Sequence, residues 1–153
     1  MSTNYYLCNM NSVSDSFLFQ VIRMRKAIFR RTTALMINAG VQLQMEQLPI
    51  LVILENNGTL SQRELSDITL RDKSSILRSV SALQKKGLIN IEQDSADKRK
   101  NNLSLSFKGK QLATQIKKLM RKAEDDALSV FPEAERLIAY QTIKNYADKL
   151  EGI

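Results

Sequence analysis

Between Ser61 and Ser106 the spacing of apolar residues changes from helical to alternating, and few folds accommodate that order of elements. Ser61-Gln62-Arg63-Glu64 has the form of a capping box and opens a short helix. Its hydroxyl can accept from the Glu64 N–H while the Glu64 carboxylate reaches back to the Ser61 N–H, and Leu65 and Ile68 are expected to face inward. Asp72-Lys73-Ser74-Ser75 opens a second helix after a short turn, and Gly87 stops it. Residues 88–93 and 102–106 then alternate as strands. Ile89, Ile91, Leu103 and Leu105 point one way; Asn90, Glu92, Ser104 and Ser106 point the other. A charged loop over residues 94–100 joins them. Helix, turn, helix and hairpin in this order predict a winged helix-turn-helix.

The second helix, residues 73–86, has two unlike faces. At about 100° per residue, Ile76, Val80 and Leu83 share one side. Ser74, Arg78, Ser81 and Lys85 fall opposite, with Ser75 and Ala82 beside them. That outward face is narrow and polar except for its two long cations. Serine is a mediocre helix former, so a run of serines on one exposed face suits a contact surface. A guanidinium at its centre can donate two parallel hydrogen bonds to guanine O6 and N7 in the major groove. An ordinary solvated helix rich in serine is the plain alternative. In the loop, Asp97 stands two residues before Arg99, with Lys98 and Lys100 on either side of the arginine. A carboxylate there can aim the guanidinium by a charge-assisted hydrogen bond. An aimed arginine on a loop tip suits the narrow minor groove of A·T-rich DNA; an ordinary hydrophilic hairpin turn is the plain alternative.

Charge distribution points the same way. The chain of 153 residues carries a net +7, unevenly placed. Residues 61–110 hold eleven basic and six acidic side chains, net +5; residues 1–60 hold five and three; residues 111–153 hold seven of each. A clustered basic field attracts a polyanion through counterion release. There is no histidine, which removes Ser-His-Asp and Cys-His catalysis and His-based metal sites. The single cysteine, Cys8, removes an internal disulfide. No catalytic, metal or cofactor site is expected. The start lacks the layout of a secretory signal, and the longest apolar run near the middle, residues 48–54, is too short for a membrane span. The chain reads as cytoplasmic, with no membrane partner.

The flanks are helical. A polar arm leads to a helix over about residues 16–37, capped by Ser14 or Asp15, basic through Arg23, Arg25, Lys26, Arg30 and Arg31, and striped by Phe17, Val21, Met24, Ile28 and Leu35. Gly40 follows its end. A helix over about residues 45–56 has Pro49 in its first turn and apolar residues almost all round, so it should be buried. A long helix over about residues 108–130 ends at Phe131-Pro132, and Pro132-Glu133 starts a last helix striped by Leu137, Tyr140, Ile143, Tyr146 and Leu150. A lone winged helix does not need these terminal stripes. The expected organisation is therefore an arm and dimerisation helix (1–44), a winged helix-turn-helix (45–107) and C-terminal dimerisation helices (108–153). The fold class is mainly α with a small β-hairpin. Two-fold pairing would hold two reading helices about one DNA turn, roughly 34 Å, apart on a palindromic operator.

Asp94-Ser95-Ala96-Asp97-Lys98-Arg99, then Leu103-Ser104-Leu105-Ser106 and Gly109, resemble the wing of the MarR (multiple antibiotic resistance regulator) family, with Ser106 in place of the usual threonine. Gly58 to Leu65, Asp72 to Ser75, and Leu83 to Leu88 match that family as well, and the resemblance runs from Phe17 to Leu150. It implies a homodimeric transcription regulator, usually a repressor, whose terminal helices make the dimer. It implies major-groove contacts by Ser74, Ser75 and Arg78, and a minor-groove contact by Arg99 braced by Asp97. It also implies release from DNA by a small aromatic or anionic effector. The full set of candidate DNA contacts is Ser61, Arg71, Lys73, Ser74, Ser75, Arg78, Ser79, Lys98, Arg99 and Lys100. Some members sense oxidants through a cysteine near the first helix, which makes Cys8 a candidate redox residue although it lies upstream, in the polar arm. The zinc-responsive branch depends on histidine ligands, which this chain lacks. Two other readings share parts of the pattern: a nonspecific architectural nucleic-acid binder, and a winged helix that binds protein.

Overall fold

The computed structural model describes residues 13–95, 97 and 100–152. Among the described residues, six helices and three short strands follow one another: α1 (Phe17–Asn38), α2 (Leu48–Asn57), β1 (Leu60–Ser61), α3 (Gln62–Thr69), α4 (Lys73–Lys85), β2 (Ile89–Gln93), β3 (Asn101–Leu105), α5 (Phe107–Leu128) and α6 (Glu133–Glu151). Single 3-10 turns precede α1 (Val13–Asp15) and α2 (Met45–Gln47). The chain divides into two compact units, one ending at Lys117 and the other beginning at Lys118.

In the first unit the core forms where the sequence puts its apolar faces. Ile50, Leu51 and Leu54 of α2, Leu65 of α3, and Ile76, Val80 and Leu83 of α4 are buried, with Leu103 of β3 and Ile116 of α5. Pro49 sits in the first turn of α2, where a missing N–H costs nothing, and Gly58 ends the helix at a φ of 76°. The sheet order is β1-β3-β2, all antiparallel. Ile91 faces Leu103 and Ile89 faces Leu105, so the apolar alternation lands on one face as expected.

Three details depart from the sequence reading. The hairpin gains a third strand, because Leu60 and Ser61 pair with Leu103 and Asn102. Ser16 caps α1, its Oγ accepting from the Phe19 N–H at 3.1 Å, in place of Ser14 or Asp15. Ile68 does not face inward: it is 49% exposed, because it lies about 60° round a two-turn helix from the buried Leu65. On α1 the side chains of Phe17, Val21, Met24 and Ile28 are exposed in the single chain.

α2 is tied to α5 by one polar clamp. The Thr114 hydroxyl donates to Glu55 Oε1 at 2.7 Å, and Lys117 Nζ lies 3.2 Å from Oε2. The Thr114 hydroxyl, opposed by burial and helped by Lys117, holds the Glu55 carboxyl below its ordinary 4.5. A depressed carboxylate contributes stability above its unfolded pKa and loses it as pH falls through the folded value. Glu55→Ala should therefore cost about 1 kcal/mol at pH 7, with the gap to wild type shrinking only below pH 4.5, as read by chemical denaturation at several pH values.

In the second unit α6 starts after Pro132 and carries Glu133 and Glu135 in its first turn, which suits the positive end of a helix dipole. Lys144 and Asp148 pair along it at 2.6 Å. Leu137, Tyr140, Ile143, Tyr146 and Leu150 are exposed. Among the described residues no helix is long and apolar enough to cross a membrane.

Candidate nucleic-acid interface

The interface is assembled on α3, the turn after it, α4 and the hairpin. Ser61 caps α3 as its sequence predicts. Its Oγ accepts from the Glu64 N–H at 3.2 Å, and both its N–H and its hydroxyl donate to Glu64 Oε2 at 2.7 Å. Those donors hold the Glu64 carboxyl below its ordinary range, and the positive charge of Lys100 on the hairpin adds to the effect. The Ser61 hydroxyl is thus engaged by the cap.

Ser66 fixes the turn between the two helices. Its carbonyl accepts from the Arg71 N–H at 3.2 Å and its hydroxyl donates to the Arg71 carbonyl at 2.5 Å. Leu70, 79% exposed, ends α3 in the left-handed region at a φ of 52°.

Asp72 then caps α4, and it does more than end the turn. Its Oδ1 accepts from the Ser75 N–H at 2.9 Å and from the Ser74 hydroxyl at 2.6 Å; its Oδ2 accepts from the Ser75 hydroxyl at 2.7 Å. Arg78 Nη2 donates to Ser75 Oγ at 3.1 Å. An ionised carboxylate only accepts and a guanidinium only donates, so the direction of every bond is forced. Both serine protons point at Asp72. Ser74 keeps lone pairs facing outward, and Arg78 is steadied through one of its five donors while the others stay available. The Ser74 hydroxyl, then that of Ser75, holds the Asp72 carboxyl far below its ordinary 3.8.

A depressed carboxylate supports the fold above its unfolded pKa and loses that role as pH falls through its folded value. Asp72→Ala should lower the melting temperature by a similar margin at every pH from 8 down to 5. The margin should narrow only below the ordinary carboxylate range, near pH 3.8. Thermal denaturation across pH checks this.

Lys73, Ser74 and Arg78 are exposed on α4 and Ser75 is half-buried; Ser81 and Ala82, expected outward, are half-buried too. Two further candidate contacts, Arg71 and Ser79, are bonded to each other. Ser79 is buried at 8% exposure, and it accepts from Arg71 Nη2 at 3.4 Å. Arg71 Nη1 donates to the Glu46 carbonyl at 2.9 Å. This pair ties the turn before α2 to the inner side of α4. Ser79 is not presented outward and Arg71 is half-buried; an arginine in a polar turn and a serine in a helix look alike in sequence whether they face water or core.

The hairpin loop is closed by a residue that sequence reasoning did not single out. Asp94 Oδ1 accepts from the Asp97 N–H and Oδ2 from Asn102 Nδ2, each at 2.9 Å. Main-chain bonds link Asp94 to Lys100 and Lys100 to Asp97. Lys100 is exposed, with Nζ 4.0 Å from Asp97 Oδ2. Lys98, Arg99 and Cys8 lie outside the described residues.

Residues 39–100 match the model of the MarR family, which is to say the segment from the end of α1 through the hairpin loop. No curated sequence is a significant match. Among solved structures, a transcriptional repressor, CouR, bound to a 23-mer DNA duplex is 22% identical, with a TM-score of 0.82 over 90% of this chain and 96% of that one. A putative MarR family transcriptional regulator from Listeria monocytogenes complexed with 26mer DNA is 24% identical, with a TM-score of 0.78 over 88% and 89%. NadR in complex with 4-hydroxyphenylacetate is 23% identical, with a TM-score of 0.70 over 86% and 92%. These likenesses establish the fold.

Proposed function

We propose that this chain, which belongs to the MarR family over residues 39–100, is a dimeric, sequence-specific regulator of transcription that binds double-stranded DNA. The observation that carries this reading is the outward face of α4. There Ser74 and Arg78 are exposed, Ser74 held by Asp72 and Arg78 by Ser75, which Asp72 holds in turn, as a fixed arrangement of acceptors and donors needs to be. Lys73 on α4 and Lys100 on the hairpin are exposed cations suited to phosphates. In this reading Ser74, Ser75 and Arg78 meet base edges in the major groove, and Arg99, aimed by Asp97, enters the minor groove. The reading gives the chain no enzymatic activity and a place in the cytoplasm with the DNA it binds.

A second copy is supported by apolar side chains that one chain leaves in water. On α1 these include Phe17, Val21, Met24 and Ile28; on α6, Leu137, Tyr140, Ile143 and Leu150. Each helix by itself carries an exposed apolar stripe, and soluble monomers seldom leave such stripes in water. The terminal helices are then the dimerisation elements, and residues 45–107 the reading head. A dimer offers two copies of α4 to a palindrome.

Release by a small molecule is supported by a cavity of about 590 Å³ between the segment after α1 and α4. Ile37, Val41 and Leu43 give it an apolar side, and Ala82 and Lys86 belong to the reading helix or its cap. An aromatic acid is the chemistry that suits such a lining, and NadR was solved with one. It would act as a repressor's effector only by binding the DNA-incompetent arrangement more tightly than the competent one.

Footprinting after selection from random duplexes tests the function. A discrete palindromic site is expected, with the complex sedimenting as a dimer on one duplex. Uniform coverage would instead make the chain an architectural binder, and the absence of any complex would make it a protein-binding winged helix.

A further inference from the structure

We infer that Leu77 reads the methyl group of a thymine in the major groove, beside the base that Arg78 contacts. The inference rests on the regulator reading above.

Leu77 is out of place for an ordinary helix residue. The buried side of α4 is Ile76, Ser79, Val80 and Leu83, and Leu77 takes no part in it; half of its surface, 50%, is exposed. It lies one helical turn from both Ser74 and Ser81, and next to Arg78 in the chain, on the side that the fold leaves open. Lys73, Ser74 and Arg78 around it are exposed and polar. One branched apolar side chain is thus set beside Ser74 and Lys73, at the edge of the face offered to DNA.

Major-groove chemistry narrows what it can meet there. The base edges are hydrogen-bond donors and acceptors except for one apolar feature, the C5 methyl of thymine. A leucine pressed onto a polar edge strips that edge of water and returns no hydrogen bond, which is unfavourable. Pressed onto a methyl, it buries apolar surface on both sides. Leu77 and Arg78 are consecutive, with a rise of about 1.5 Å between them against about 3.4 Å per base step. The thymine therefore lies within about two base pairs of the guanine that Arg78 would read.

The test uses the full chain and the duplex it selects from a random pool. Each thymine is replaced singly by deoxyuridine, which removes the methyl and leaves the pairing edge intact, and affinity is read by fluorescence anisotropy. One position per half-site should weaken wild type about fourfold, the equivalent of roughly 0.8 kcal/mol for one buried methyl. Leu77→Ala, at an exposed site, should fold normally, show no loss at that position and keep its discrimination at the Arg78 guanine. If wild type is indifferent to deoxyuridine everywhere, or if Leu77→Ala loses as much as wild type does, Leu77 does not read a methyl. If wild type selects no sequence, the regulator reading itself fails, and this inference falls with it.

Discussion

Gly109→Ala is expected to lower the stability of the winged helix by about 3 kcal/mol, the upper end for overpacking and more than a surface change costs. Gly109 is buried at the start of α5. A Cβ built on it would overlap the Leu88 carbonyl oxygen, come within 3.0 Å of the carbonyl carbon and touch the Leu105 side chain at 3.4 Å. The obstacle is backbone, and the backbone is pinned. The Ser106 N–H donates to that same Leu88 oxygen at 3.0 Å, the Ser106 hydroxyl donates to the Gly87 carbonyl at 2.7 Å, and Ser106 Oγ accepts from the Gly109 N–H at 3.0 Å. Moving Leu88 away breaks this knot where β2 begins and α5 leaves the sheet. For a chain of this size each kcal/mol is worth roughly 2–4 °C, so the melting temperature should fall by about 6–12 °C. Circular dichroism on heating checks this; an unchanged midpoint would mean that α5 and β2 do not approach so closely.

Arg78→Ala should leave the fold intact and change what the protein distinguishes. Arg78 is exposed, and its resolved contact is the hydrogen bond to Ser75. A bidentate arginine–guanine pair is worth about 1–3 kcal/mol of discrimination, a factor of roughly 5 to 150 at one base pair. In a palindrome the loss should appear at one position in each half-site. Wild type should bind poorly when that guanine is replaced, and Arg78→Ala should bind original and replaced duplexes alike. Arg78→Lys should not restore the preference, because an ammonium lacks the planar fork. Competition binding with single-substitution duplexes gives both numbers. An Arg78→Ala protein that kept its preference at every position would move the reading to another side chain.

Much of this architecture is legible in local sequence, because local physics decides it. The Ser61–Glu64 capping box, Pro49 at the start of α2 and the period change at Gly87 each act over three or four residues, and each appears where the sequence puts it. What stays hidden depends on partners distant in sequence. β1 is two residues long and exists because β3 lies beside it. Arg71 and Ser79 find each other across the turn, and Arg71 reaches a carbonyl 25 residues upstream, so no local pattern separates them from a surface pair. Gly109 has no unusual φ to advertise it; its constraint is the approach of Leu88. Asp72 is a local case: it caps α4 two and three residues before Ser74 and Ser75, and its bonds to both hydroxyls span no more than one helical turn. Ile68 shows the limit of periodicity in a helix of eight residues, where a one-turn pattern cannot tell the centre of the buried face from its rim.

The central claim, that α4 reads sequence as well as attracting phosphate, is met most directly by one binding comparison. Fluorescence anisotropy at about 0.15 M salt would set the selected palindromic duplex against a scrambled duplex of the same length and composition. A dissociation constant of about 10⁻⁸ M or tighter is expected on the palindrome, with binding at least about 10³-fold weaker on the scrambled duplex. Equal affinity for the two, changing together with salt, would contradict it and reduce the interface to its charge.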